Sequence, residues 1–133
     1  INVCHLFFSS PGESRQNISI PCVSLNDSFS DGTAVDFIKT DIQGYEMAAL
    51  QGANRVISQS PRLKLLIEFW PYGLKMAGEE PHALIDLLSR RHFQISKVAG
   101  KGAPIALTEK ACLVEEDVFF NICAVRTGVA VTL

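Results

Sequence analysis

Val35-Asp36-Phe37-Ile38-Lys39-Thr40-Asp41-Ile42-Gln43-Gly44-Tyr45-Glu46 is the stretch on which the reading of this chain turns. Val35, Phe37, Ile38 and Ile42 are strand formers in a near-continuous apolar run, the pattern of a strand covered on both faces in a parallel sheet. The run stops on Asp41, at the carboxyl end of the strand, where open α/β sheets place their ligands. Gly44 permits a tight turn. Glu46 follows in the first turn of a helix, where negative charge suits the helix dipole.

The flanking sequence alternates as an α/β protein does. Residues 45–58 read as a helix, with Ala49, Leu50, Ala53, Val56 and Ile57 on one stripe; a close helix–sheet contact accounts for Gly52 within it. Pro61 bars further helix, and residues 63–69 form a second buried strand that runs out through Glu68, Phe69, Trp70 and Pro71. Pro81 suits the first turn of another helix, whose apolar face is Ala83, Leu84, Leu87 and Leu88. Phe93, Ile95 and Val98 mark a third strand, 99–117 a loop, 118–125 the closing strand and 128–133 an apolar tail. On the amino-terminal side, 3–8 read as a strand and 9–12 as a turn. Residues 18–25 form an extended piece that Pro21 makes an edge or irregular strand. There is no internal repeat, so the expectation is one domain over 1–133.

Composition excludes several classes. Twelve Lys and Arg stand against fourteen Asp and Glu, a net charge of -2, which offers no electrostatic footprint for nucleic acid. Arg90-Arg91-His92, the densest basic cluster, falls at a helix end, where cations favour the dipole. No apolar run is long enough to span a bilayer and no leader pattern is present in these residues. Cys4, Cys22, Cys112 and Cys123 lack metal or redox spacing and read as free thiols, which make the cytoplasm the expected location. The sequons at Asn17 and Asn26 are short patterns that arise by chance. His5, His82 and His92 are scattered; Asp41, Glu46 and Glu68 could together hold a divalent cation, but with no visible fourth ligand no metal site is expected.

Taken together, residues 36–46, then Ala49-Leu50-Gln51-Gly52-Ala53, then Leu65-Leu66-Ile67-Glu68, resemble the core signature of FkbM-type methyltransferases. Val23-Ser24-Leu25-Asn26-Asp27 is similar to the family's Val-Thr-Leu-Asp-Asp lead-in, and Phe120-Asn121-Ile122 to its closing strand. Gln43 departs from the Glu that the family usually carries there. The resemblance implies part of a Rossmann-like class I methyltransferase sheet, mostly parallel, with helices on both faces and an antiparallel last strand. In that fold the strand order is 3-2-1-4-5-7-6, with residues 3–8 as the third strand. The resemblance also implies S-adenosylmethionine as cofactor and O-methylation of a small hydroxyl-bearing substrate such as a sugar or polyketide. The family's glycine-rich turn, Asp-x-Gly-Ala-Asn-x-Gly, does not occur in these residues, and Gly100-Lys101-Gly102 does not replace it. The chain therefore reads as the carboxyl-terminal portion of such a domain, with an incomplete cofactor site.

On that resemblance Asp41 and Glu68 are the expected catalytic residues, and Asp41, Gly44 and Glu46 the expected cofactor contacts. Each has a plainer reading. Asp41 could cap its turn and Glu46 stabilise its helix, and Glu68, acidic at the end of an apolar strand, must be paired or face a cleft. Lys39 is expected to pair with Asp41 or Glu68. Trp70, Pro71 and Tyr72 could line a pocket but more simply pack together. Without the fold's first two strands, the strand from Val35 to Asp41 would present an open edge, and either a homodimer through that edge or an opening segment rearranged to cover it is expected. The alternatives are a non-catalytic interaction or dimerisation module derived from a methyltransferase, and an unrelated hydrolase or phosphotransfer domain. The last has no nucleophile elbow or phosphate loop to support it.

Overall fold

The computed structural model describes residues 2–4, 20–98, 105–106 and 118–127. The expected turn at 9–12, the Gly100-Lys101-Gly102 loop, the tail at 128–133 and the side chains of Cys4, His5 and Cys112 lie outside what is described. In chain order the elements are β1 (Asn2–Cys4), β2 (Ile20–Cys22), α1 (Leu25–Ser28), β3 (Phe37–Thr40), α2 (Glu46–Gly52) and α3 (Asn54–Ser58). They continue with β4 (Lys64–Phe69), α4 (Pro71–Met76), α5 (Pro81–Arg90), β5 (Phe93–Lys97), β6 (Ile105–Ala106) and β7 (Phe120–Arg126).

The main sheet has the order β3-β4-β7-β5-β6, with β3 at its edge. β3 and β4 pair in parallel, whereas β7 pairs antiparallel with both β4 and β5, and β6 antiparallel with β5. The expectation of a mostly parallel sheet is thus corrected: among the described residues only one pair is parallel. The last strand inserts between β4 and β5, as the order 4-5-7-6 implied, and replaces one parallel ladder with two antiparallel ones; β6 adds a third, and no further strand pairs with β3 among the described residues. β1 is also reassigned. It pairs antiparallel with β2 in a separate two-stranded sheet, so its described part is no strand of the main sheet.

Alternation along the strands separates two faces. Leu65, Ile67 and Phe69 of β4, Ile122 and Ala124 of β7 and Phe93 of β5 are buried on one face. They join Met47, Leu50, Ala53, Ile57, Leu74, Leu84 and Leu88 from the helices in a single core. The other face carries Phe37 and Lys39 of β3 and Leu66 and Glu68 of β4, all exposed or half-buried. No helix among the described residues is long and apolar enough to cross a membrane.

The helix expected over 45–58 is divided at Ala53, whose φ of -106° and ψ of 8° leave the α region, into α2 and α3. The second half is capped from a distance: Asn26 Oδ1 accepts from Arg55 N at 3.0 Å and Val56 N at 3.3 Å. Residues 18–25 are not extended throughout, because Ser24 caps α1 by accepting Asp27 N at 3.1 Å. Gly52 faces that cap rather than the sheet; a Cβ there would lie 3.3 Å from Ser24 Cβ. α4 and β6 fall where the sequence pattern shows no element, the first within the apolar corner after β4 and the second within the loop.

Arg55 pins the segment between α1 and β3. Its guanidinium donates to the carbonyls of Asn26 and Phe29 and pairs with Asp31 at 2.7 Å. Gln59 Oε1 accepts from Gly32 N at 3.1 Å, and Ser60 Oγ from Val35 N at 2.9 Å. These bonds set the height at which β3 enters the sheet. Arg55→Ala is expected to lower unfolding stability in urea by about 2 kcal/mol, because a charged donor to two carbonyls is lost. Arg55→Lys, with a point charge in place of a fork, should recover less than half of that.

Candidate functional site

The site follows from the β3–β4 register. Phe37 lies beside Lys64, Ile38 beside Leu65, Lys39 beside Leu66 and Thr40 beside Ile67. The next step of the same ladder sets Asp41 beside Glu68, at the carboxyl ends of two parallel strands, with both side chains on the face opposite the core. The parallel pairing thereby brings together two carboxyl groups that are well separated in the chain.

Lys39 projects from the same face and pairs with Asp41, Nζ to Oδ2 3.1 Å, as expected. Gln43 adds a contact the sequence pattern did not suggest. Its Nε2 donates to Glu68 Oε2 at 3.0 Å and reaches Asp41 Oδ1 at 3.5 Å. The only signal for it was a polar, neutral side chain between two acids in the turn. Glu46, in the first turn of α2, is fully buried. One of its oxygens accepts from Ile42 N at 3.4 Å, and the other has no hydrogen-bond partner.

Gly44 positions the turn. Its φ is +100°, and a Cβ would stand 2.3 Å from the carbonyl oxygen of Gly73 in α4. Gly73 in turn leaves room for the ring of Trp70, 2.0 Å from where its own Cβ would be. The turn after β3 is therefore pressed directly onto the helix after β4, and Gly44 is buried in that contact. Trp70 and Tyr72 meet in a tilted ring contact, with centroids 5.8 Å apart and planes at 50°.

The electrostatics divide the two carboxyl groups. Asp41 is held below the ordinary aspartate value, first by the hydrogen bond from Lys39 and then by hydrogen bonding with Glu68 and the lysine's charge. Glu68 is pushed above the ordinary glutamate value, chiefly by desolvation, then by Asp41 as hydrogen-bond partner and as charge, with a further push from Glu46. The two neighbouring acids thus diverge in proton affinity. A groove of about 570 Å³ runs along the free side of β3, lined by Leu25, Phe29 and Phe37 among others and reaching Asp41. Among the described residues no group of three or more His, Cys, Asp or Glu is placed to hold a metal ion.

In comparison with known proteins, residues 2–95 match the family model described as the methyltransferase FkbM domain. No curated protein and no solved structure matches the chain.

Two kinds of variant follow from the turn and the carboxyl pair. Gly44→Ala places a side chain at positive φ and against the Gly73 carbonyl, so urea unfolding should show a loss of about 3 kcal/mol. For Glu68, raised in the folded chain, the stabilising contribution is complete below the unfolded value and is lost as pH rises through the folded one. For Asp41, lowered in the folded chain, it is present above the unfolded value and lost as pH falls. Measured against the parent from about pH 3 to pH 7, Glu68→Gln should gain relative stability as pH rises and Asp41→Asn should lose it. Parallel profiles for the two variants would contradict the division.

Proposed function

The chain belongs to the FkbM methyltransferase family, and from that premise we propose that the edge formed by Asp41 and Glu68 takes part in S-adenosylmethionine-dependent O-methylation of a small hydroxyl-bearing substrate. The observation that carries the reading is the side-by-side placement of these two acids at the carboxyl ends of the parallel strands β3 and β4. That end of an α/β sheet is where ligands bind. A buried carboxylate oxygen without a donor on Glu46, beside two solvent-reachable carboxyl groups, fits a cofactor that is cationic and bears hydroxyl and ammonium donors. S-adenosylmethionine, when bound, supplies the methyl group from its sulfonium.

The residues then have distinct tasks. Asp41, ionised and held by Lys39, accepts a hydrogen bond from the substrate hydroxyl or from a cofactor donor and fixes its direction. Glu68, with the higher proton affinity, receives the hydroxyl proton as the oxygen gains the methyl group. Most of the rate then comes from holding the donor and acceptor atoms in line, and the proton transfer adds a further factor of about 10²–10⁴. Gly44 serves the site through the shape of its turn, and Glu46 by fixing Ile42 N.

Titrating S-adenosylhomocysteine into the chain by calorimetry tests this. Binding in the micromolar range, weakened at least about tenfold in Asp41→Asn, one charged hydrogen bond's worth, is the expected result. Absence of any binding would overturn the reading. One observation favours a second reading, a non-catalytic module that pairs with another copy. β3 lies at the sheet edge, with Phe37 57% exposed beside the apolar groove. A dimer in sedimentation equilibrium that Phe37→Lys dissociates, together with silent calorimetry, would favour the module over the enzyme.

A further inference from the structure

Gln43 stands in a conformation that its residue type rarely adopts. Its φ is +55°, in the left-handed region, a strain of about 1 kcal/mol or more that glycine would avoid. Strained backbone persists where its surroundings over-determine it, and here they do so from one side: Gly44 is jammed against Gly73, which fixes the path of the turn. That path alone gives no reason for a long amide side chain. Glycine would follow it without strain, and asparagine, which tolerates it better, has an arm one methylene shorter.

The side chain has a partner on each side. An amide nitrogen carries two hydrogens in one plane, and Gln43 Nε2 stands 3.0 Å from Glu68 Oε2 and 3.5 Å from Asp41 Oδ1. Among the described residues Lys39 hydrogen-bonds Asp41 and acts on Glu68 only through its charge. Gln43 is thus the one described side chain whose hydrogen bonds touch both acids, and it does so without adding charge. The distinction matters because Glu46 is a third acid close enough to act on Glu68, buried, with one oxygen unpartnered. An acid at position 43 would crowd four carboxyl groups around one lysine.

We propose that Gln43 is a positioning residue that, by giving one amide hydrogen to each acid from a strained turn, locks Asp41 and Glu68 into a single proton-sharing pair. The inference rests on the reading of these two acids as the reacting edge. It assigns to Gln43 the task of holding Glu68 Oε2, and with it the Glu68 carboxyl group, in place beside Asp41 while a proton moves between the pair and the substrate hydroxyl. Gln43 itself touches neither substrate nor cofactor.

The test separates the side chain from the backbone. Carboxyl carbons of Asp41 and Glu68 are titrated by NMR in the full chain and in Gln43→Gly, Gln43→Met and Gln43→Glu, with urea unfolding measured alongside. Gln43→Gly relieves strain, so stability should hold or rise. Removal of the donor should nevertheless move both midpoints up, that of Glu68, whose oxygen stands 3.0 Å from the amide, the further of the two. Gln43→Met, close to isosteric and without a donor, should give the same shift if the glycine variant loosens the turn. Gln43→Glu should raise both midpoints, Glu68 the further of the two. Unmoved midpoints in both the glycine and methionine variants would reduce Gln43 to a turn residue and overturn the proposal. These titrations need no cofactor, so a silent calorimeter would sink the methyltransferase reading of the site without deciding this one.

Discussion

Four residues of β3 laid in parallel on β4 govern the carboxyl edge of this protein. With β4 fixed on its other side by β7, the ladder from Phe37–Lys64 to Thr40–Ile67 resists slippage, because a shift of β3 by one residue would turn Ile38 away from the core and Lys39 and Asp41 toward it. With the register held by the apolar face, the polar face has no freedom of its own. Asp41 must meet Glu68, and Lys39 must rise beside them. The hydrophobic effect on one side of the sheet thereby sets electrostatic geometry on the other.

That geometry is costly, and the structure manages the cost with small means. Two carboxyl groups beside a buried third would repel strongly in a dry interior. Here Asp41 and Lys39 remain about half exposed, where solvent screens them, and a neutral amide rather than a second cation spans the acids. The exposed ion pair contributes little to stability by itself. Its effect is on proton affinity: it holds Asp41 ionised, while desolvation and the acids around it press Glu68 toward its protonated form.

The turn between β3 and α2 links that chemistry to the scaffold. Gly44 against Gly73 ties the end of β3 to α4, and Arg55 with Asn26 ties its beginning to α1 and α3. Each tie rests on an absent Cβ or on a side chain bonded to distant backbone. Movement of α4 or of the segment 26–31 would therefore reach the carboxyl pair through β3.

The sequence by itself determined the order of most elements, the burial of β4, the acid at the end of each parallel strand and the family. All of these are written in local composition: apolar runs of strand length, Pro81 at a helix start, Gly44 at a turn and a signature spaced along one segment. The order β3-β4-β7-β5 and its antiparallel last strand follow what the resemblance implied. Tertiary structure alone decided the rest. That parallel pairing is nonetheless the minority, with β6 antiparallel at one end and no strand beyond β3 among the described residues, is a matter of which distant edges pair, and no local pattern records that. The same holds for the break at Ala53 capped by Asn26, for the short elements α4 and β6, and for β1 leaving the main sheet for β2. Asp41 and Glu68 could each be picked out as a strand-end acid. That they stand side by side, with Gln43 donating across both, depends on register and on a left-handed turn, and both are imposed by packing in three dimensions.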